Sequence, residues 1–190
     1  MEMTPQGAST RRQRGASLIE VLVTIVILAI GLLGLAGLQT RLQSSEMEAY
    51  QRTQALILLN DMASRISTNR ANAVSYANGA TSVGVGMTCP TATATTLERD
   101  QNQWCLALQG AAETTGGNSV GAMIGGRGCV QDLGSNEYLI TIAWQGMTPL
   151  SAPPDGAACG EGEYDGGTTC VNDLCRRVVT TVVRIGDLAS

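Results

Sequence analysis

The 190-residue chain contains no histidine, no lysine and no phenylalanine. Without histidine it lacks the commonest general base and transition-metal ligand, and with it the usual nucleophile–histidine–acid triad. Without lysine it cannot form a phosphate-binding loop of the G-x-x-x-x-G-K-[ST] type. The glycine-rich stretch Gly121–Gly128 (GAMIGGRG) therefore reads as a hairpin, with a first strand over about Val120–Ile124 and a return over about Gly128–Leu133. Two tryptophans and four tyrosines are the only aromatics, which predicts a modest core. The formal net charge of −4 disfavours nucleic acid as a partner. No C-x-x-C pair is present, which excludes the thioredoxin-like exchange motif. No proline falls between Pro5 and Pro90, so a helix can run far without a break.

What the chain does have is a long apolar run. Residues Ala16–Leu38 carry a single charge, Glu20, and follow a leader with Arg11, Arg12 and Arg14. The run is long enough to cross a bilayer as a helix, and the arginines place the leader on the cytoplasmic side. The bland reading is a secretory signal peptide. Against it, the run is longer than a signal core and continues into a helical pattern. A lone carboxylate in hydrocarbon costs about 3 kcal/mol on insertion scales. A cut between Gly15 and Ala16 would place a new amine one helical turn before Glu20, on the same face, and so supply a cationic partner.

Beyond the run, Leu42, Ala49, Leu56, Leu59, Ala63 and Ile66 recur at helical spacing, with Arg41, Glu46, Glu48, Arg52, Asp61 and Arg65 assigned to the other surfaces. One helix is expected from Ala16 to about Arg65 or Ser67. Gly31, Gly34 and Gly37 lie inside it. They read either as sites of close helix packing or as a softened stretch, since an interior glycine costs about 1 kcal/mol relative to alanine. Asn69–Thr88 reads as a loop with a turn at Asn78-Gly79. Leu97–Gly110 reads as a short helix carrying Trp104, Leu106 and Leu108, with Trp104 a core anchor rather than a ligand platform.

Two strands stand out. Glu137–Gln145 (EYLITIAWQ) alternates Tyr138, Ile140, Ile142 and Trp144 with smaller residues, and Arg176–Ile185 (RRVVTTVVRI) alternates in the same way. Between them lies a long soft loop with Pro149, Pro153 and Pro154. Asp155, Glu161, Glu163, Asp165 and Asp173 cluster there. They read as solvated acids or, more sharply, as calcium ligands, although the EF-hand spacing is absent and no metal site is assigned. Paired acids of a glycosidase are a further formal possibility, with nothing to set their separation.

Six cysteines, Cys89, Cys105, Cys129, Cys159, Cys170 and Cys175, all follow the apolar run. An even count on the exported side predicts disulfides, whereas their spacing fits no compact zinc motif. Spacing alone does not choose the pairing. Cys159 with Cys170 or Cys175 is the local expectation.

Residues 15–20 (GASLIE) resemble the processing site of class III prepilins, the type IV pilin family, whose usual form is G|FTLIE. Here Ala16 replaces the phenylalanine and Ser17 the threonine. The resemblance is specific over residues 11–38 and only architectural beyond. Within the family the segment is most like minor pilins of the type IV pilus modification (PilV) type.

The resemblance implies an α+β fold: a long N-terminal helix, transmembrane in its first half, against a C-terminal antiparallel sheet of three or four strands with disulfide-tied loops. Its implied divisions are a cleaved leader (1–15), a membrane or filament-core helix (16–38), an amphipathic continuation (39–68) and a periplasmic head (69–190). It implies cleavage by a prepilin peptidase between Gly15 and Ala16, N-methylation of Ala16, and an assembly role for Glu20. The implied partners are other minor pilins, pilus or pseudopilus subunits, an inner-membrane assembly platform and the membrane. Twitching motility and adhesion are the implied processes. No cofactor and no enzymatic activity of its own are expected. The rival readings are a pseudopilin of a type II secretion system and a membrane-anchored, disulfide-linked adhesin domain.

Overall fold

The computed structural model describes residues 17–111, 114–115, 118–119 and 123–186. By internal contacts the chain divides into two units, residues 1–43 and 44–190. The element order is α1 (Leu18–Thr68), a 3-10 helix (Arg70–Tyr76), β1 (Val83–Gly84), α2 (Thr96–Leu108), β2 (Thr114–Thr115), β3 (Asn118–Ser119), β4 (Arg127–Gly134), β5 (Glu137–Gln145) and β6 (Arg176–Arg184).

In the first unit, the N-terminal part of α1 is long and apolar enough to cross a membrane, and none of its most apolar stretch is buried by the protein. The helix runs unbroken through Gly31, Gly34 and Gly37.

In the second unit, the remainder of α1 packs on the head through Gln51, Ala55, Leu59, Met62 and Ile66, spaced three and four residues apart. This seam corrects the expected one. Leu59, Ala63 and Ile66 are on it or beside it, but Ala49 and Leu56 are exposed. The expected polar surfaces shift as well. Glu48, Asp61 and Arg65 are half-buried and make contacts within the head. In the first unit, Leu42 is exposed.

The head sheet is antiparallel, in the order β1-β4-β5-β6. Both strongly alternating segments are strands, and Ile140 and Ile142 form the centre of the core face. Val179 and Val183 of β6, and Ile185 just after it, add to it. The return strand expected at 128–133 is β4, but its hairpin partner is β5, through a turn with positive φ at Ser135 (52°) and Asn136 (60°). Of the strand expected at Val120–Ile124, residues 120–122 lie outside the described residues, and Met123 and Ile124 are not in a strand.

The Asn69–Thr88 loop contains the 3-10 helix and β1. Asn78 does turn the chain: its Oδ1 accepts from Val130 N at 2.6 Å, and its own N donates to Val130 O at 2.9 Å. Gly84 has φ 125°, and a Cβ there would lie 2.4 Å from Gly126 O, so this position on β1 accepts only glycine.

Helix α2 begins one residue before the expected Leu97, at a capping box in which Thr95 accepts from Glu98 N and Glu98 accepts from Thr95 N. Trp104 and Leu108 are buried, while Leu106 is exposed. Trp104 is a core anchor: its Nε1 donates to Leu58 O at 3.0 Å, tying α2 to α1.

The outer face of the sheet is also covered, since Thr141 and Ala143 are as buried as their core-facing neighbours. The long segment between β5 and β6 does this. The disulfides are Cys89–Cys105, Cys129–Cys159 and Cys170–Cys175. The expected pairing of Cys159 with Cys170 or Cys175 is thereby corrected. Cys159 lies against the outer face of the sheet, where it meets Cys129 of β4, whereas Cys170 and Cys175 close their own five-residue turn.

Arg176, 4 % exposed, donates through Nη1 to the carbonyls of Ala157 and Cys159 and pairs through Nε with Asp173 at 3.1 Å. Tyr164 donates to Gly125 O at 2.8 Å, and Arg127 lies over its ring while pairing with Glu163 at 2.7 Å.

Candidate functional site

The N-terminal candidate site is the start of α1. The carbonyl of Ser17 accepts from Glu20 N at 2.9 Å and Val21 N at 3.2 Å, which forms the first turn and puts Glu20 in it. A carboxylate there is favoured by the free N–H groups at the helix N-terminus. Around it Leu18, Ile19, Val21, Leu22 and Val23 are all exposed, so Glu20 is a single acid on a bare apolar rod. Gly15 and Ala16 lie outside the described residues. An added Cβ at Gly31, Gly34 or Gly37 would meet nothing within 4 Å. The three glycines thus make no packing contact in the isolated chain. Gly34 and Gly37 instead leave a shallow concavity bordered by Leu38 and Arg41.

The head carries a second candidate, a cleft of about 460 Å³ between α1 and the sheet. Ala49, Trp144, Leu150 and Val179 give it an apolar lining, and Glu48, Arg52 and Arg177 are its charged groups. Arg177 pairs with Glu48 at 3.5 Å and donates to Thr148 O at 2.6 Å and Leu174 O at 3.1 Å. Glu48 also accepts from Met147 N at 3.1 Å. These bonds tie α1 to both ends of the loop that joins β5 to β6. Sequence reasoning assigned Glu48 to a solvent surface and gave Arg177 no role, because a pairing across more than a hundred residues leaves no local periodicity. Chemically the cleft offers apolar area and guanidinium groups, which suit binding rather than bond-making.

Within the acidic cluster, Asp165 and Asp173 staple the loop, while Asp155 and Glu161 are exposed. Asp165 accepts from Asn172 N at 3.1 Å and Asp173 N at 2.8 Å, and Asp173 accepts from Gly162 N at 3.0 Å. Among the described residues no group of three His, Cys, Asp or Glu side chains converges as a metal site would require.

A third polar group joins α1 to α2. Arg65 pairs with Asp61 at 2.8 Å and Asp100 at 2.7 Å, and Tyr76 donates to Asp100 at 2.5 Å. Burial, reinforced by that bond to a carboxylate, pushes the Tyr76 hydroxyl up to about 12. Burial likewise raises Tyr164 well above the ordinary phenol value.

A family model described as the prokaryotic N-terminal methylation motif matches residues 10–36. That span contains Gly15, Ala16, Glu20, Gly31 and Gly34. Gly37 and the whole head lie outside it. Neither a curated protein nor a solved structure matches the chain. The motif is the prepilin type of leader, which implies processing by a peptidase. Together with the long apolar helix and the disulfide-tied four-stranded head, it marks a pilin-like protein.

Proposed function

We propose that the chain is a minor pilin, cut by a prepilin peptidase between Gly15 and Ala16, methylated on Ala16, and incorporated into the priming or tip complex of a type IV pilus. The observation that carries this reading is Glu20 in the first turn of an apolar helix, inside a matched methylation motif. After cleavage the Ala16 amine gives Glu20 a cationic partner, in its own chain or in a neighbour. In an apolar filament core a mismatched charge is costly, so the pair acts as a register check during assembly. The resemblance of the first helix to the PilV type of minor pilin favours a place among the minor pilins that start assembly. The head is periplasmic before assembly and on the cell surface afterwards, in keeping with its three disulfides. In this role the protein is a substrate for processing and a structural subunit, and performs no catalysis itself.

Mass spectrometry of the N-terminus in pilus and membrane fractions tests the proposal. Methylated Ala16 in sheared pili is the expected result. Methylated Ala16 in cells, but co-purification with secretion-system pseudopilins only, would move the protein to the pseudopilus. Recovery from Met1, or a cut beyond Leu38, would overturn cleavage and assembly altogether.

A further inference from the structure

Strand β6 is the last in the sheet order, so one of its edges has no neighbouring strand among the described residues. The register shows which backbone groups point that way. Glu137 lies opposite Arg184 and Gln145 opposite Arg176, with no shift between them. Just beyond the two ends, Ile185 N donates to Asn136 O at 2.9 Å and Gly146 N donates to Cys175 O at 2.7 Å. The odd-numbered residues of β6 therefore bond to β5. By the alternation of an antiparallel ladder, the N–H and C=O groups of Val178, Thr180 and Val182 point outward. Nothing among the described residues bonds to them.

Long edge strands are ordinarily blunted by a charge, a proline or a bulge. From Val178 to Val183 this one reads VVTTVV, with none of the three, and Val182 is exposed. The opposite edge of the sheet, β1, is only two residues long. The cleft beside α1 continues the β6 edge. Trp144, Arg177 and Val179 line it from the core face of the sheet, Val178 lies on the edge itself, and Ala49 and Arg52 face them from α1. A strand added to β6 would carry every second side chain over this cleft. The Arg52 guanidinium is exposed there and has no partner among the described residues, whereas Arg177 is held by Glu48.

A second copy of the chain does not suit this edge. Only one edge of β6 is open, so pairing it with the same strand of another copy must be isologous and antiparallel. That requires a two-fold axis perpendicular to the sheet, which reverses every direction in the sheet plane. The head portion of α1 lies against the sheet. Its two copies would run in opposite directions, whereas subunits anchored in one membrane run alike.

We infer that the open edge of β6 receives an extended segment of a different subunit, apolar at alternate positions over the cleft and with a carboxylate facing Arg52. Its backbone continues the ladder at Val178, Thr180 and Val182. The choice of partner rests on the assembly of exported subunits proposed above.

The test uses full-length protein, with a benzophenone amino acid in place of Thr180, irradiated in cells that make the protein naturally. The expected product joins position 180 to a different subunit, within a segment that alternates apolar and polar residues and contains an acid. The double variant Val178→Pro/Val182→Pro removes two outward N–H groups and no bond to β5, and should cut the yield about tenfold. Arg52→Glu leaves the backbone intact and should lower the yield several-fold. Intact disulfides and an unchanged urea midpoint establish that each variant is folded. A cross-link to another copy of this chain or to a helix, no cross-link at all, or a yield that Arg52→Glu leaves unchanged would overturn the inference. The N-terminal peptide from the same cells separates the two proposals. Methylated Ala16 without the cross-link sinks the strand pairing alone, whereas an unprocessed N-terminus sinks the pilin reading.

Discussion

The ring of Trp104 occupies the space that a side chain at Gly128 would fill: an ideal Cβ on Gly128 would lie 2.3 Å from the nearest ring carbon. Helix α2 therefore approaches β4 as closely as it does because residue 128 has no side chain. Gly128→Ala is expected to destabilise the head by about 1–3 kcal/mol, in the range of overpacked cores. Combining it with Trp104→Leu should recover part of that loss. A double-mutant cycle by urea unfolding measures the coupling, and additive losses would show that the close approach does not limit stability.

Arg176 is a buried cation with one carboxylate and two carbonyl partners. Arg176→Met should cost about 3 kcal/mol, since it leaves Asp173 without its cationic partner and two carbonyls without their donor. The loss should be local. Hydrogen exchange should rise around Ala157–Cys159 and Asp173 while α2 keeps its protection.

The three disulfides close loops of 30, 16 and 5 residues. On the chain-entropy account, removal costs about 3.5 kcal/mol for Cys129–Cys159, about 3 for Cys89–Cys105 and about 2 for Cys170–Cys175. Paired alanine substitutions followed by denaturant unfolding should reproduce that order. The first pair should also expose Thr141 and Ala143, which its loop covers.

Tyr76 has its hydroxyl raised to about 12 in the folded head, against about 10 unfolded. The neutral phenol is thus favoured by folding. Its contribution is fully present below pH 10 and is lost as pH rises towards 12, because the unfolded state gives up the proton first. Burial raises Tyr138 and Tyr164 in the same direction. The urea midpoint should therefore fall between pH 10 and 12, and Tyr76→Phe should flatten part of that fall while lowering stability at pH 8 through the lost Asp100 bond.

Glu20→Ala should leave the head folded, since Glu20 belongs to the first unit and the head's buried core is built from residues of the second. Incorporation into pili should drop sharply while membrane levels and disulfide formation stay as in the wild type. Equal recovery of mutant and wild type in sheared pili would remove the register role.

Some features were legible locally. The limits of β5 and β6 follow from period-two alternation, and the long helix follows from the absence of proline and the apolar run. The start of α2 was also written locally, as Thr95-x-x-Glu98, a capping-box spacing that the expected Leu97 start overlooked. The buried seam of α1 was not legible. Apolar residues surround that helix, Leu56 and Ile57 stay exposed, and the seam itself contains Ala55 and the polar Gln51. Hydropathy cannot rank such faces.

By itself, then, the amino-acid order determined what depends on neighbours along the chain: the basic leader before an apolar run with the single acid Glu20, the helix, the strands and an even number of cysteines beyond that run. Tertiary structure alone decided which cysteines join, which side of α1 is covered, and that Arg176 and Arg177 fasten the loop between β5 and β6. Those outcomes depend on which distant surfaces meet, and a pairing such as Glu48 with Arg177 exists only after the sheet has brought its last strand back to the helix.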